Sequence, residues 1–126
     1  MSVFEGVKGF SGFAVDDIAA AKAFYEGTLG IPVSEQHGLL TLQLDGGRPT
    51  LVYPKPDHQP AGYTILNFPV ENIEAAVDEL SRRGVEFERY QSFDHDERGI
   101  ARPAGGPPIA WFTDPAGNVL AVVQSD

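Results

Sequence analysis

The pattern of apolar and polar positions repeats once along the chain. Residues 15–21 (VDDIAAA) and 70–76 (VENIEAA) match position by position in residue character, at a spacing of 55. An apolar stretch that predicts a strand precedes each of them, GFSGFAV in the first copy and YTILNFPV in the second. An internal repeat of this size indicates one supersecondary unit written twice.

Each copy next predicts a helix. An acidic or amide pair stands at its start, Asp16-Asp17 or Glu71-Asn72, and such side chains accept hydrogen bonds from the unpaired N–H groups of a first turn. Each helix is predicted to end at a glycine, Gly30 or Gly84, which suits a left-handed C-terminal cap. The core-facing stripes at helical spacing are Ile18, Ala21, Tyr25 and Leu29 in the first copy and Ile73, Val77 and Leu80 in the second.

Further strands are predicted after each glycine. The extended stretches IPVSEQ (31–36) and VEFERYQSF (85–93) come first, and the apolar runs LLTLQLDGGRPTLVY (39–53) and PPIAWFTDPAGNVLAVV (107–123) follow them. Turn-forming residues interrupt both runs, DGG at 45–47 and DPAGN at 114–118. These interruptions predict two hairpins.

The predicted fold is α+β, with two tandem βαβββ modules that form a curved mixed sheet around a central concavity. A single domain over residues 1–126 contains a first module (7–53), a proline-rich linker (54–62) and a second module (63–124). A module of this size buries only one face of its sheet, so two copies side by side enclose the other face. The concavity is the expected place of function.

Composition and charge narrow the class of protein. The net charge of −9 argues against a nucleic-acid partner, because phosphate binding needs clustered Lys and Arg. The absence of cysteine excludes disulfides, thiolate nucleophiles and cysteine metal sites. No apolar run is long enough to span a membrane, and the N-terminus lacks the features of a secretory signal. We therefore expect no membrane partner and a cytoplasmic location.

Two motifs and the repeat resemble one superfamily. VDDIAAAKAFYEGTLG (15–30) is similar to the first-helix signature of the vicinal oxygen chelate superfamily, and FTDPAGNVLAVVQ (112–124) is similar to its final hairpin. That superfamily includes glyoxalase I, extradiol dioxygenases, fosfomycin-resistance enzymes and bleomycin-resistance proteins. The resemblance covers residues 7–124 and implies a glyoxalase-like fold.

The resemblance also implies where metal ligands lie in the metalloenzymes of that superfamily. Each module supplies one ligand from its first strand and one from its last, at positions occupied here by Phe10, Leu51, Ile65 and Ala121. None of these side chains carries a nitrogen or oxygen donor for a divalent ion. We therefore expect no metal cofactor, and we expect the four side chains to line a largely apolar ligand cavity.

Three further residues complete the candidate ligand-binding set. Asn67 is expected to share the inward face of Ile65 and Tyr53 that of Leu51, which makes both candidate polar groups in the cavity. Asn67 has the alternative role of satisfying a buried backbone group. Trp111 is expected to be a wall or core residue.

The other polar candidates are interpreted as loop residues. We expect His37, His58 and His95 to be solvated, and the segment Asp94–Glu97 to form an acidic loop at the mouth of the pocket. Arg102 is also expected to be a solvated loop residue, with contact to an anionic ligand as its alternative.

The favoured function is that of a protein that binds a small organic molecule in a largely apolar, metal-free cavity. Two alternatives are a metal-dependent lyase, isomerase or dioxygenase of the glyoxalase type, and a metal-free enzyme that uses the same pocket. A structural or regulatory module without a ligand is another. The resemblance implies a symmetric homodimer, which is a common arrangement of soluble oligomers. Whether the chain is an enzyme stays open.

Overall fold

The computed structural model describes residues 2–44 and 48–125. The chain divides into two compact units, residues 1–58 and 59–126, and the division falls within the predicted linker. Each unit contains a four-stranded mixed sheet and a helix. The predicted α+β fold of two tandem βαβββ modules is therefore confirmed. No helix in the described ranges is long and apolar enough to cross a membrane.

The first unit follows the predicted order of elements. These are β1 (Ser11–Val15), α1 (Ile18–Lys22) with a π-helical continuation (Ala23–Thr28), β2 (Val33–Gln36), β3 (Leu39–Leu42) and β4 (Thr50–Pro54). The strand order is β1-β4-β3-β2, and β1 runs parallel to β4. The predicted turn at 45–47 lies outside the described residues.

The second unit repeats this topology with one shortened strand. Its elements are β5 (Thr64–Val70), α2 (Ile73–Arg82), β6 (Phe87–Glu88), β7 (Ile109–Thr113) and β8 (Val119–Gln124), in the sheet order β5-β8-β7-β6. The prediction of an extended strand over 85–93 is wrong for most of its length. From Arg89 to Pro108 the chain forms a long irregular segment, which lies along the edge of β7 through a bridge between Ala101 and Ile109.

The predicted helix caps are confirmed in both units. The Asp17 carboxylate accepts a hydrogen bond from the N–H of Ala20, and the Asn72 side-chain oxygen accepts one from Ala75, each at 3.1 Å. Gly30 and Gly84 have φ angles of 75° and 93°, in the region where a residue with a Cβ is strained. The residues that begin and end both helices can therefore be identified from the sequence.

The first helix is one residue longer than the second. The capping residues Asp17 and Asn72 are 55 positions apart, whereas Gly30 and Gly84 are only 54 apart. The extra residue is absorbed by the π-helical turn, in which the N–H of Leu29 donates to the carbonyl of Phe24, five residues earlier, at 2.9 Å.

Each sheet packs its helix against one face. In the first unit Phe13 lies in register with Val52, and its ring centroid is 5.8 Å from that of Tyr25 in the helix. In the second unit α2 packs on β8. Buried apolar side chains on these faces are Val15, Ala21, Tyr25, Leu40, Leu42 and Val52 in the first unit and Ile73, Val77, Ala110, Phe112, Leu120 and Val122 in the second. The opposite face of each sheet holds the candidate site residues.

Candidate functional site

In the first sheet, Gly12, Leu51 and Thr41 lie in one row on the face opposite α1. Leu51 is half-buried, and Tyr53 follows two residues later on the same face with 40% of its surface exposed. Phe10 precedes the first residue of β1 and is 66% exposed. The structure therefore brings Leu51 and Tyr53 together and leaves Phe10 outside the strand.

In the second sheet, Asn67, Ala121, Trp111 and Glu88 lie in one row across all four strands. Ala121 is fully buried, and Trp111 is only 9% exposed. Asn67, at the end of this row, is exposed. The candidates Asn67, Trp111 and Ala121 are thus neighbours, although Ala121 presents no surface to a ligand in this conformation.

Ile65 lies at an irregular step of β5. Thr64 pairs with Val119 and Leu66 pairs with Leu120, so the ladder shifts its register between Thr64 and Leu66. The expectation that Ile65 shares the face of Asn67 stays a prediction, because Ile65 has no partner of its own in the described ladder. Thr64 lies on the face of Ala121, because its partner Val119 stands two residues from Ala121 along β8.

The indole of Trp111 lies across the second sheet. Its Nε1 donates a hydrogen bond to the hydroxyl oxygen of Thr64 at 3.1 Å. β8 lies between β7 and β5, so the indole has to cross β8 to reach Thr64. The ring therefore lies over Ala121, which belongs to the same buried apolar cluster as Trp111. The small methyl group of Ala121 leaves the space that the ring fills.

The residues at the four metal positions do not fit a divalent ion. Phe10, Leu51, Ile65 and Ala121 offer no donor atoms in their side chains, and the space above Ala121 holds an indole. Within residues 2–44 and 48–125, no group of three or more His, Asp or Glu side chains is arranged to hold a metal ion.

Three aromatic side chains from the irregular segment surround Trp111. The ring centroids of Tyr90, Phe93 and His95 lie 5.2, 5.1 and 6.0 Å from that of the indole. Burial first, and the nearby charge of Glu88 second, raise the pKa of the Tyr90 hydroxyl above its usual value. The prediction that His95 is a solvated loop residue is wrong, because its ring is half-buried in this cluster.

His95 also fixes the backbone of the segment that carries it. The N–H of Tyr90 donates to Nε2 of His95 at 3.0 Å, and Nδ1 lies 2.8 Å from the carbonyl oxygen of Gly99. Since Nε2 accepts a hydrogen bond, Nδ1 carries the proton and donates it to Gly99. One neutral imidazole therefore bridges two points of the loop.

Asp96 and its arginine partners tie the segment together and to α2. The Asp96 carboxylate accepts hydrogen bonds from Arg102 at 2.6 Å and from the N–H groups of Arg98 and Ile100. Desolvation by burial alone would raise the pKa of Asp96, but these hydrogen bonds and the charge of Arg102 together lower it below its usual value. Arg102 also lies 3.5 Å from Glu74 of α2, so this loop residue is exposed, as expected, and in addition ion-paired.

Two adjoining open pockets lie beside the aromatic cluster. One, of about 280 Å³, is lined by Arg89, Tyr90, Gln91, Phe93, Asp94 and His95. The other, of about 290 Å³, is lined by Asp94, His95, Asp96, Ile100 and Arg102. Phe93 is 39% exposed at the first of them. We call the first one the aromatic pocket.

The sequence pattern did not identify the aromatic pocket. The spacing and apolar character of Tyr90 and Phe93 are typical of a strand, and so the sequence predicts one there. The available signal was the run of turn-forming and charged residues from Gln91 onward, which is incompatible with a long strand in the sheet.

The family of the chain is identified by comparison with known proteins. The model of the Glyoxalase/Bleomycin resistance protein/Dioxygenase superfamily matches residues 10–122. This match confirms the resemblance carried by the two motifs. A search of curated protein sequences finds no match.

Solved structures of similar fold come from several bacteria. TnmS3, an antibiotic binding protein from Streptomyces sp. CB03234, is 22% identical, with 95% of this chain and 98% of that chain covered and a TM-score of 0.69. A glyoxalase/bleomycin resistance protein from Catenulispora acidiphila DSM 44928 is 26% identical, with coverage of 94% and 98% and a TM-score of 0.64. Lactoylglutathione lyase from Agrobacterium tumefaciens is 21% identical, with coverage of 92% and 91% and a TM-score of 0.64. Binding proteins and enzymes thus share this fold.

Proposed function

The chain belongs to the glyoxalase/bleomycin resistance protein/dioxygenase superfamily, and we propose that it binds a small organic molecule without a metal ion. The observation that carries this proposal is the replacement of metal-binding chemistry by apolar groups. Leu51 and Ile65 are aliphatic, and the indole of Trp111 covers Ala121. Lewis-acid chemistry at these positions has no ligands to support it.

The aromatic pocket is the part of the second unit that suits an organic ligand. Tyr90 and Phe93 provide apolar ring surface, and Asp94 and Gln91 provide polar groups at the rim. Ring surface combined with polar groups that can orient a ligand is typical of small-molecule sites. His95 accepts a hydrogen bond from the N–H of Tyr90, and the Arg89 guanidinium donates to the carbonyls of Asp96 and Glu97, so the loop is held in place before a ligand arrives. Such preorganisation lowers the entropic cost of binding.

TnmS3 gives a precedent for binding as a role of this fold. That protein is an antibiotic binding protein, and at 22% identity the likeness extends to the fold alone. The proposal for this chain is limited to the broader class, a small organic molecule.

The proposal includes a cytoplasmic homodimer. Apolar side chains are strongly exposed on the single chain near its start, with Val3 at 86%, Phe4 at 76% and Phe10 at 66%. Exposed apolar groups of this kind are typical of surfaces that another protein covers. Light scattering after size-exclusion chromatography measures the subunit number directly, and a monomeric mass at all concentrations would remove this part of the proposal.

Native mass spectrometry of gently purified protein, combined with Ni²⁺ and Zn²⁺ calorimetry, tests the central claim. We expect a bound organic mass that is lost on denaturation, and no stoichiometric metal binding. Phe93→Leu should reduce the fraction of protein that retains the bound organic molecule, because it removes ring surface from the aromatic pocket. Tyr63→Leu is the matched control, since Tyr63 is 71% exposed and does not line that pocket. Stoichiometric metal binding would instead favour the metal-dependent enzyme.

A further inference from the structure

We propose that Trp111 itself closes the metal position of the second unit, because its indole fills the space into which a metal-binding side chain at residue 121 would project. The indole would then exclude a metal ion from this position, in addition to the absence of a metal-binding side chain at residue 121. This inference concerns the chain's own side chains and does not depend on which molecule the protein binds.

The geometry places the indole over residue 121 from one side. Trp111 and Ala121 are direct partners in the ladder between β7 and β8, and the hydrogen bond to Thr64 on β5 holds the far edge of the ring. Ala121 has no exposed surface beneath it. A carboxylate at 121 would therefore be buried against an aromatic ring, where removal of the charge from water is costly.

The aromatic cluster prevents the indole from moving aside. Tyr90, Phe93 and His95 all pack against the ring, at centroid distances of 5.1 to 6.0 Å. Swinging the indole off residue 121 would break the bond to Thr64 and displace these three rings. An indole at 111 and a metal ligand at 121 are therefore mutually exclusive, and Trp111 is a specificity-determining residue.

A double-mutant cycle tests the claim that the two side chains compete for one space. Ala121→Leu should lower the folding equilibrium constant at least about tenfold in the wild-type chain, because an overfilled site is strained. In the Trp111→Val background, Ala121→Leu should lower the folding equilibrium constant less than about threefold, because the indole no longer occupies the space. Ala110→Leu is the matched control, since Ala110 is equally buried but lies on the opposite face. Its cost should be the same in both backgrounds.

The single tryptophan supplies a second readout that general destabilisation does not move. Ala121→Leu should shift the indole N–H resonance in a ¹H–¹⁵N spectrum, because the ring loses its bond to Thr64. Ala110→Leu should leave that resonance in place. If Ala121→Leu does not fold, Ala121→Val makes the same test with a smaller side chain.

A metal-binding variant tests the functional side of the proposal. Trp111→His combined with Ala121→Glu removes the indole and puts an imidazole and a carboxylate in the row that ends at Asn67. Histidine nitrogen and carboxylate oxygen are donors that Ni²⁺ accepts. We expect calorimetry to show Ni²⁺ binding at least about tenfold tighter in this double variant than in either single variant.

Two results would each overturn the proposal. In the first, Ala121→Leu lowers the folding equilibrium constant equally in the wild-type and Trp111→Val backgrounds, and the indole resonance does not move. The other is a folded double variant that binds Ni²⁺ no better than the single variants. The proposed function has its own tests, the retained organic mass and the calorimetry of the wild-type chain, so the failure of either proposal is distinguishable from the failure of the other.

Discussion

The indole of Trp111 and the hydroxyl of Thr64 form a hydrogen bond between two strands that are not neighbours in the sheet. The two residues lie 47 positions apart in the chain, and β8 runs between them. The bond therefore fixes the orientation of a large side chain that backbone pairing alone leaves free. It also explains why a small residue stands at position 121.

Thr64→Val should destabilise the protein by about 1–2 kcal/mol, because a partly buried indole N–H loses its acceptor while the side-chain volume is kept. Chemical denaturation measures this free energy of unfolding. Thr64→Ser is the control, since it keeps the hydroxyl group and should recover most of the loss. Equal effects of Val and Ser would mean that the hydrogen bond contributes nothing.

His95→Leu should cost about 2–3 kcal/mol of unfolding free energy, because the N–H of Tyr90 and the carbonyl of Gly99 both lose their partner. His37 gives the comparison, because its side chain is exposed and His37→Asn, which tolerates the positive φ of 56° at this position, should change stability little. Urea titrations of the two variants decide the matter. Similar urea midpoints for both variants would show that the hydrogen bonds of His95 contribute nothing to stability.

Asp96 should make stability depend on pH in the acidic range. Its pKa is lowered in the folded protein, so its contribution is fully present above the unfolded value of about 4 and is lost as the pH falls through the folded value. Asp96→Asn should therefore be less stable than the wild type at neutral pH, and the difference should shrink below about pH 4. Thermal unfolding across the pH range measures this difference.

Asp94→Asn is the control for that experiment. Asp94 lies in the same segment, but its side chain has no hydrogen bond or ion pair among the residues that the structure describes. Its substitution should leave the pH profile of stability unchanged. A profile for Asp96→Asn that runs parallel to the wild type would contradict the role given to the Asp96 carboxylate.

Deletion of Gly27 should convert the π-helical turn into continuous α-helix and leave the fold intact. Gly27 is exposed, and apart from its chain neighbours and the backbone of its own helix no atom lies within 4 Å of the position of a Cβ there. The turn contains one residue more than the second copy. We expect unfolding free energy within about 1 kcal/mol of the wild type, since an exposed glycine weakens a helix by a similar amount. Circular dichroism and denaturation check helix content and stability.

The comparison for this deletion is removal of Ala75 from α2. The second helix has no π turn to absorb a missing residue, so the deletion rotates its buried residue Val77 away from the core. This variant should lose most of its stability. A comparable loss on deleting Gly27 would show that the π turn is a required element.

Local signals in the sequence predicted most of the architecture. The caps at Asp17 and Asn72 and the glycines at 30 and 84 act within one helical turn, so their effect is visible in short stretches. The π turn was also encoded, in the one-residue difference between the cap spacing and the glycine spacing.

The candidate site was harder to predict because its contacts are remote in sequence. The bond from Trp111 to Thr64 depends on strand order, and the position of Thr64 depends on a register shift that no residue pattern marks. His95 looked like a solvated residue because its partners, Tyr90 and Gly99, become partners only when the segment turns back on itself.

Trp111 also provides a way to find out whether the two units melt together. It is the only tryptophan of the chain, and it lies among the aromatic rings of the second unit. Its selectively excited emission therefore follows the loss of structure in that unit, whereas circular dichroism follows both. Coincident transitions would show one cooperative melting event, and separated ones would give each half of the duplicated chain a stability of its own.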